Sequence, residues 1–255
     1  MMKIVSAAAM LAVSASMLGT STYAWFTMNT TVTVTGLQTT AKAEDGIVIA
    51  AYTDDGTVAP DASAYAETAA AYNTATGEAA LLPTFTKDAS AWYHNWSKQS
   101  ADGQVYGEDY TAIASADYDD YFITNKFKIK SPSATKDIYV KSIAITDIGR
   151  EAQDYDPSLR VLVKSGDTVL IFNQDGTAWT DVATKSNSTV IAEQVTLSGT
   201  VANTAAAKIM TASTTGTDVE VYVYYDGQDA ACKSDNITAF TSTNVTVTFT
   251  SEVPA

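Results

Sequence analysis

Residues that are apolar or β-branched alternate with polar residues, at a period of two, along most of this chain. Successive side chains of a β-strand point to opposite faces, so this period is typical of strands, whereas a helix has a period of about 3.6. The stretches concerned are rich in Val, Ile, Thr, Tyr and Phe and are bounded by turn-forming residues. They are residues 30–41, 46–53, 121–131, 136–146, 159–165, 167–173, 188–199, 218–226 and 243–251. The pattern predicts an all-β fold, an antiparallel β-sandwich or barrel, with a hairpin turn at Asp175-Gly176.

Residues from about 60 to 120 depart from this alternation and are rich in Ala, Tyr, Asp and Thr. Residues 64–75 are compatible with a short helix, and residues 92–110 have the composition of a surface loop. No linker rich in Pro, Gly or Ser isolates the segment, so we interpret it as an insertion in a single domain spanning residues 25–255. We expect it to lie outside the main strand order and to tolerate deletion better than the strands do.

Residues 1–24 have the layout of a secretory signal peptide, with a basic start, an apolar run at residues 4–18 and small residues before the end. The layout predicts a secreted, extracellular or cell-surface protein that is cleaved between Ala24 and Trp25. A membrane anchor is an alternative, but a spanning helix needs about 20 predominantly apolar residues. A second alternative is a retained apolar leader helix that packs with its copies in a filament core, an organisation similar to that of type IV pilins.

Charge and motif content exclude several classes of function. The formal net charge of −14 would repel nucleic acid and anionic membranes. The chain has one His and one Cys and lacks the common zinc, nucleophile and phosphate-binding motifs, so we expect no enzymatic activity, no catalytic residue and no cofactor. Cys232 cannot form an intrachain disulfide and is expected to be a small buried residue, and His94 is expected to pack among aromatic residues.

Two acidic stretches are candidates for calcium binding, because carboxylate oxygens in loops are its usual ligands. They contain Asp117, Asp119 and Asp120, and Asp154 and Asp156. Neither matches the spacing of an EF-hand loop, and solvated turn residues are the alternative interpretation.

Two features of the sequence relate to glycans, one as covalent modifications and one as bound ligands. Five N-x-S/T sequons would be glycosylated in an organism that modifies exported proteins. They lie at Asn29, Asn95, Asn187, Asn236 and Asn244. The aromatic residues of 92–122 could alternatively form a sugar-binding platform, as in a monomeric adhesin or carbohydrate-binding module, or could pack over the core.

The strand nearest the leader contains the run Thr31, Val32, Thr33, Val34 and Thr35. Alternation would place the two Val side chains on one face and a neutral row of Thr on the other. Exposed edge strands usually carry Lys, Pro or bulges that block further pairing, but residues 29–35 contain no charge and no Pro. Two hypotheses stay open: the strand pairs within its own domain, for example with residues 244–250, or it adds to a neighbouring subunit and builds a fibre.

The same region carries a resemblance. The sequence LGTSTYAWFTMNTTVTVTG, followed by AEDGIVIAA, resembles the N-terminal region of the camelysin/TasA group of exported Gram-positive proteins. The later segments DVEVYVYYDGQDAAC and VTVTFTS resemble closing strands of similar exported proteins. The resemblance implies a jelly-roll sandwich and biofilm fibres in which each subunit donates its N-terminal strand to the next. The camelysin name implies a metalloprotease, but the chain has no zinc motif, so this activity is not expected.

We therefore expect a structural subunit of an extracellular filament, either a pilus or a biofilm-matrix fibre, that polymerises through its N-terminal segment. Its partners would be copies of itself, with the cell surface or surface glycans as further contacts and no nucleic acid. The alternatives are a pilin-like subunit with a retained helix and a monomeric adhesin.

Overall fold

The computed structural model describes residues 38–52, 57–72, 81–86, 89–99, 103–146, 158–173, 208–227, 232 and 244–253. The strands in these ranges are β1 (Gln38–Ala43), β2 (Val48–Ala51), β3 (Thr68–Tyr72), β4 (Phe85–Thr86), β5 (Trp92–Gln99), β6 (Gly103–Ala112), β7 (Phe122–Lys130), β8 (Lys136–Thr146), β9 (Leu159–Ser165), β10 (Thr168–Asn173), β11 (Lys208–Ala212), β12 (Thr217–Tyr225) and β13 (Asn244–Thr250). The helical elements among these residues are 3-10 turns at Ala62–Ala64 and Ser115–Asp120. The described part of the chain is thus almost entirely β, as the alternation predicted.

The described strands form three sheets. Sheet A has the order β11-β8-β13-β1-β3, sheet B has the order β10-β9-β12-β7-β2, and sheet C has the order β4-β5-β6. Their ladders are antiparallel, except that β1 runs parallel to β13. A parallel pair needs a long connection, and here most of the domain separates the two strands in sequence.

Sheets A and B share one buried core. Their inward side chains form a single cluster, to which Ala41 and Val247 contribute from sheet A and Phe127 and Val221 from sheet B, all fully buried. Strand β7 shows how the sequence builds this arrangement, because its inward residues are apolar apart from Asn125 and its outward residues are mainly polar or charged. The alternation read from the sequence is therefore the division between core and surface.

Sheet C covers part of the outer face of sheet B. Trp92 at the start of β5 is 1% exposed and belongs to a second buried cluster with Phe122, Tyr222 and Tyr224 of sheet B. The Trp92 ring stacks on Phe122 with 4.0 Å between centroids and meets Tyr224 edge-on at 5.1 Å. The segment that carries Trp92 is therefore part of a packed layer.

The interpretation of residues 60–120 is wrong in three respects. Within the range 64–75, where a helix was predicted, the described residues contain the end of a 3-10 turn and β3, which pairs with β1 at the edge of sheet A. The predicted loop at 92–110 forms β5 and most of β6, which pair as a hairpin. The segment also does not lie wholly outside the strand order, since β3 extends a main sheet. Ala is a good helix former, but here pairing along β1 overrides that preference.

Other predicted elements differ in detail. Strands β8 and β9 match their predicted ranges, whereas β11 was not predicted. A tight hairpin joins β9 to β10 through Gly166, whose φ is +58°, and Asp167. The strand predicted at 188–199 and the hairpin turn at Asp175-Gly176 lie outside the described residues.

Candidate functional site

Strand β1 lies between β13 and β3 in sheet A. Gln38 pairs with Asn244 of β13 and with Tyr72 of β3, and the described pairing of β1 with β13 runs on to Ala43. The residues that adjoin Gln38, Asn244 and Tyr72 at this end of the sheet lie outside the described ranges. The described pairing thus assigns residues 38–43 to their own domain.

Buried polar contacts fix β1 in its own domain. Thr39, which is fully buried, accepts a hydrogen bond of 2.8 Å from Nδ2 of Asn125 on β7, so this bond joins sheet A to sheet B. Thr40 donates through Oγ1 to Oδ1 of Asn244 at 3.1 Å. A buried polar group that loses its partner costs about 1–3 kcal/mol, so these bonds disfavour both a register slip and removal of β1. A segment given to another copy must therefore end before Gln38.

The structure bears on one part of the strand that was predicted at residues 30–41. Residues 38–43 pair with β13 of the same chain, which is the intrachain alternative, and the strand extends to Ala43 rather than ending at residue 41. The residues proposed for polymerisation lie outside the described part of the chain. They are Thr31, Val32, Thr33, Val34 and Thr35, and the same holds for the leader with its cleavage position at Ala24 and Trp25.

A row of lysines lies on the outward side of sheet B. Lys126, Lys128 and Lys130 alternate with inward residues along β7, and Lys164 projects from the same side of β9. We call these four side chains the lysine face. This face was not among the sites predicted from the sequence, although the alternation NKFKIK within a correctly predicted strand was a usable signal.

Asp218 on β12 and Tyr52 hold two of these lysines. The Tyr52 hydroxyl donates to Asp218 at 2.6 Å, and the Asp218 carboxylate lies 3.2 Å from Lys128 Nζ and 3.8 Å from Lys126 Nζ. Burial acts to raise the pKa of Asp218, but the hydrogen bonds from Tyr52 and Lys128 outweigh it and the pKa is lowered. The pKa of Lys128 is raised, first by its hydrogen bond with Tyr52. Both groups are therefore charged at neutral pH.

Packing also orders the lysine stems. Lys130 Nζ lies 3.6 Å from the centroid of the Tyr65 ring, and Lys126 Nζ lies 4.7 Å from that of Tyr52, both cation–π contacts. Gly216, with φ of +95°, presses against the stems, since a Cβ there would lie 2.7 Å from Lys128 Cγ. The lysine face is thus a surface with a largely preset geometry.

The acidic turn is the 3-10 segment Ser115–Asp120, which directly precedes β7. Asp117, Asp119 and Asp120 are exposed there, and none of them pairs with a Lys or Arg among the described residues. Burial raises the pKa of the neighbouring Tyr121 to about 12, and the negative charges of Asp120 and Asp117 add to this effect.

Only some of the predicted calcium ligands lie in the described part of the chain. Within the described ranges, no group of three or more His, Cys, Asp or Glu side chains could hold a metal ion. Asp154 and Asp156 lie outside those ranges. Calcium binding by either acidic stretch stays a prediction.

Several aromatic residues of 92–122 are used for packing. Trp92, Tyr121 and Phe122 are buried, and the His94 ring stacks on Tyr121 with 5.8 Å between centroids. His94 thus packs against an aromatic residue, as the sequence predicted. Trp92 does not contribute to the predicted sugar platform, because it faces the sheet rather than solvent.

Cys232 is fully buried in the core shared by sheets A and B, which confirms its expected role as a small buried residue. Of the sequons, Asn244 is partly buried at the start of β13 and accepts the hydrogen bond from Thr40, and Asn95 lies within β5. The remaining sequons lie outside the described residues. They are Asn29, Asn187 and Asn236.

Comparisons with protein-family models, curated proteins and solved structures give no match for this chain. In the portion that the structure describes, no helix has the length and apolar character needed to span a membrane.

Proposed function

We propose that this chain is a secreted structural subunit of an extracellular filament, a pilus or biofilm-matrix fibre at the cell surface. The subunit is a jelly-roll-like β-sandwich that polymerises with copies of itself by donor-strand exchange. The donated segment is the tract that follows cleavage at Ala24 and ends before β1. No catalytic centre or cofactor takes part in this role.

The observation that carries the proposal is the intrachain pairing of β1. The uncharged alternating tract of residues 31–35 precedes β1 in the sequence, and residues 38–43 pair with β13 of the same chain. A donated segment must leave its own sheet without disturbing the core, and this pairing supports donation because the buried contacts of β1 come from residues that follow the tract. The domain can then keep β1 while the upstream residues pair elsewhere.

Strand addition would stabilise the filament in two ways. Main-chain hydrogen bonds to an open sheet edge would supply affinity, and the side chains of Val32 and Val34 would fill an apolar groove and set the register. A slip of one residue would exchange Val for Thr along the whole groove, so one register should be strongly preferred.

The test charges one face of the tract at a time. Val32→Asp with Val34→Asp would bury two unpaired carboxylates in the groove, at high cost, and should give folded monomers that no longer polymerise. The matched control is Thr33→Asp with Thr35→Asp, which adds the same charge to the opposite face and should still polymerise. Electron microscopy and sedimentation measure assembly, and circular dichroism checks the fold. Filaments of unchanged morphology from the Val variant would refute donor-strand exchange.

The mass of the native subunit separates this mode from the pilin-like alternative. A subunit that begins at Trp25 supports donation of a free N-terminal strand. A subunit that retains residues 1–24 within purified filaments would instead support a helical core.

The absence of catalysis is proposed from the missing motifs and from the single His and Cys. A specific hydrolytic activity in the pure protein that is lost on substitution of one carboxylate would overturn it.

A further inference from the structure

Charge is distributed unevenly along the outer side of sheet B. The acidic turn precedes the first residue of β7, and Lys126, Lys128 and Lys130 occupy the second half of the same strand. At roughly 3.3 Å per residue, β7 separates Phe122 from Lys130 by about 26 Å. The two surfaces therefore lie toward opposite ends of one strand and cannot neutralise each other within one molecule.

Both surfaces keep an excess of their own charge. Among the described residues, the four lysines of the lysine face are opposed on this side of the sheet by Asp218 and Glu220, and the Glu220 carboxylate also accepts a hydrogen bond of 2.8 Å from the Tyr222 hydroxyl. The acidic turn presents three exposed carboxylates. The chain has a net charge of −14, so most of its surface would repel another copy. The lysine face, with its excess of positive charge, is an exception.

We infer that the lysine face binds the acidic turn of a second copy of this chain, in a head-to-tail contact along the β7 direction. Opposite charges at opposite ends of the strand match each other when two copies are aligned in the same orientation. Because the two contacting surfaces differ, each copy keeps a free lysine face at one end and a free acidic turn at the other. Such a heterologous contact propagates into an open filament unless rotation closes it into a ring.

This inference rests on the proposed filament function and adds a second contact to the donated strand. The ordered lysine stems favour it, because cations that packing already fixes lose less side-chain freedom on binding. It also explains how subunits with a large like charge can approach one another.

The test reverses each charged surface separately. Lys126→Glu with Lys130→Glu reverses the lysine face and leaves the closer Lys128–Asp218 pair in place. Asp117→Lys with Asp119→Lys reverses the acidic turn. The control, Lys42→Glu with Lys208→Glu, makes the same charge change as the first variant at exposed positions of sheet A. The critical concentration for assembly is measured for each variant, with thermal unfolding as the check on folding.

Each variant alone should raise the critical concentration about tenfold relative to the wild type, and the Lys126/Lys130 variant should do so relative to its control as well, which is the effect of losing two exposed ion pairs near the upper end of their usual strength. An equimolar mixture of the two variants should assemble like the wild type, because every interface between unlike copies again joins opposite charges. This recovery cannot arise if a substitution merely prevents folding. The difference between variant and control should also shrink at high salt, where charges are screened.

Three other outcomes would overturn the inference. If both variants assemble as readily as the control, the charged contact is absent although the filament function stands. If the variants fail and their mixture also fails, the residues serve folding or solubility instead. If the wild type forms no filament at all, the proposed function and this inference fall together.

Discussion

At the scale of single residues, Trp92 decides the status of the segment that the sequence suggested was a loop. Its indole contacts Phe122, Tyr222 and Tyr224 and is almost completely buried. The period-two pattern did not reveal this, because the partners lie up to 132 residues away in sequence. Only the tertiary pairing of sheets B and C brings them together.

Replacing Trp92 by Ala should therefore destabilise the protein by about 3–5 kcal/mol, the range for removing a buried large aromatic side chain. Trp92→Phe should cost less, since it keeps a ring against Phe122. Denaturant unfolding measures both variants. A loss below about 1 kcal/mol for the Ala variant would mean that the segment is dispensable, as the sequence had suggested.

Tyrosine burial predicts how stability depends on alkaline pH. Burial raises the pKa of Tyr121 to about 12, and it also raises the pKa values of Tyr222 and Tyr224. Above the ordinary tyrosine pKa of 10.0, the unfolded chain releases protons that the folded chain retains, so the free energy of unfolding should fall as pH rises. Ultraviolet titration should show these phenolates forming together with unfolding. Ionisation of all tyrosines near pH 10 in the folded protein would contradict this.

At the scale of elements, β1 shows what local sequence predicts and what it leaves open. Alternation identified a strand in this region, but it could not decide whether the strand pairs within its own chain, as residues 38–43 do with β13. The buried bond between Thr39 and Asn125 likewise joins two sheets and follows from no local pattern. Strands β8 and β9 were predicted well, because each alternates clearly and is bounded by turn residues.

Two deletions test the division at Gln38. Removing residues 25–35 should leave a folded monomer with an unfolding free energy close to that of the wild type, because β1 and its ladders remain. Removing residues 38–43 should unfold the domain, since a central strand of sheet A and its buried polar bonds are lost. Circular dichroism and denaturant unfolding compare them. Equal loss of stability in both deletions would place the tract inside its own sheet.

Substitutions at Gly216 and Gly166 test the packing of the lysine face, with Gly166 as the control. Both have positive φ, so an Ala at either position costs about 1–2 kcal/mol in backbone strain. A Cβ at Gly166 meets no atom within 4 Å, whereas a Cβ at Gly216 meets Lys128 Cγ at 2.7 Å. Gly216→Ala should therefore be the more destabilising variant by thermal unfolding. Equal losses of thermal stability in the two variants would show that the Lys128 side chain can move away from a Cβ at residue 216 without destabilising the protein.

At the scale of the whole molecule, the alternation and composition predicted an all-β chain, and the described residues agree. Pairing of the N-terminal strand with residues 244–250 was one of two hypotheses, but its parallel direction, the sheet order and the lysine face could not be predicted, because each depends on which distant strands become neighbours. The lysines at alternate positions of β7 were visible in the sequence, but their partners Tyr52 and Asp218 are brought close only by folding. The donated tract stays a proposal that assembly experiments must test.

The most direct measurement is the binding of a synthetic peptide of residues 25–36 to the chain that lacks residues 25–35. Calorimetry should show saturation at one peptide per chain, and the complexes should remain capped monomers, because a free peptide fills the groove without carrying a further subunit. A peptide with Val32→Asp and Val34→Asp should not bind. If the native peptide does not bind and the shortened chain still forms filaments, donor-strand exchange through this tract is contradicted.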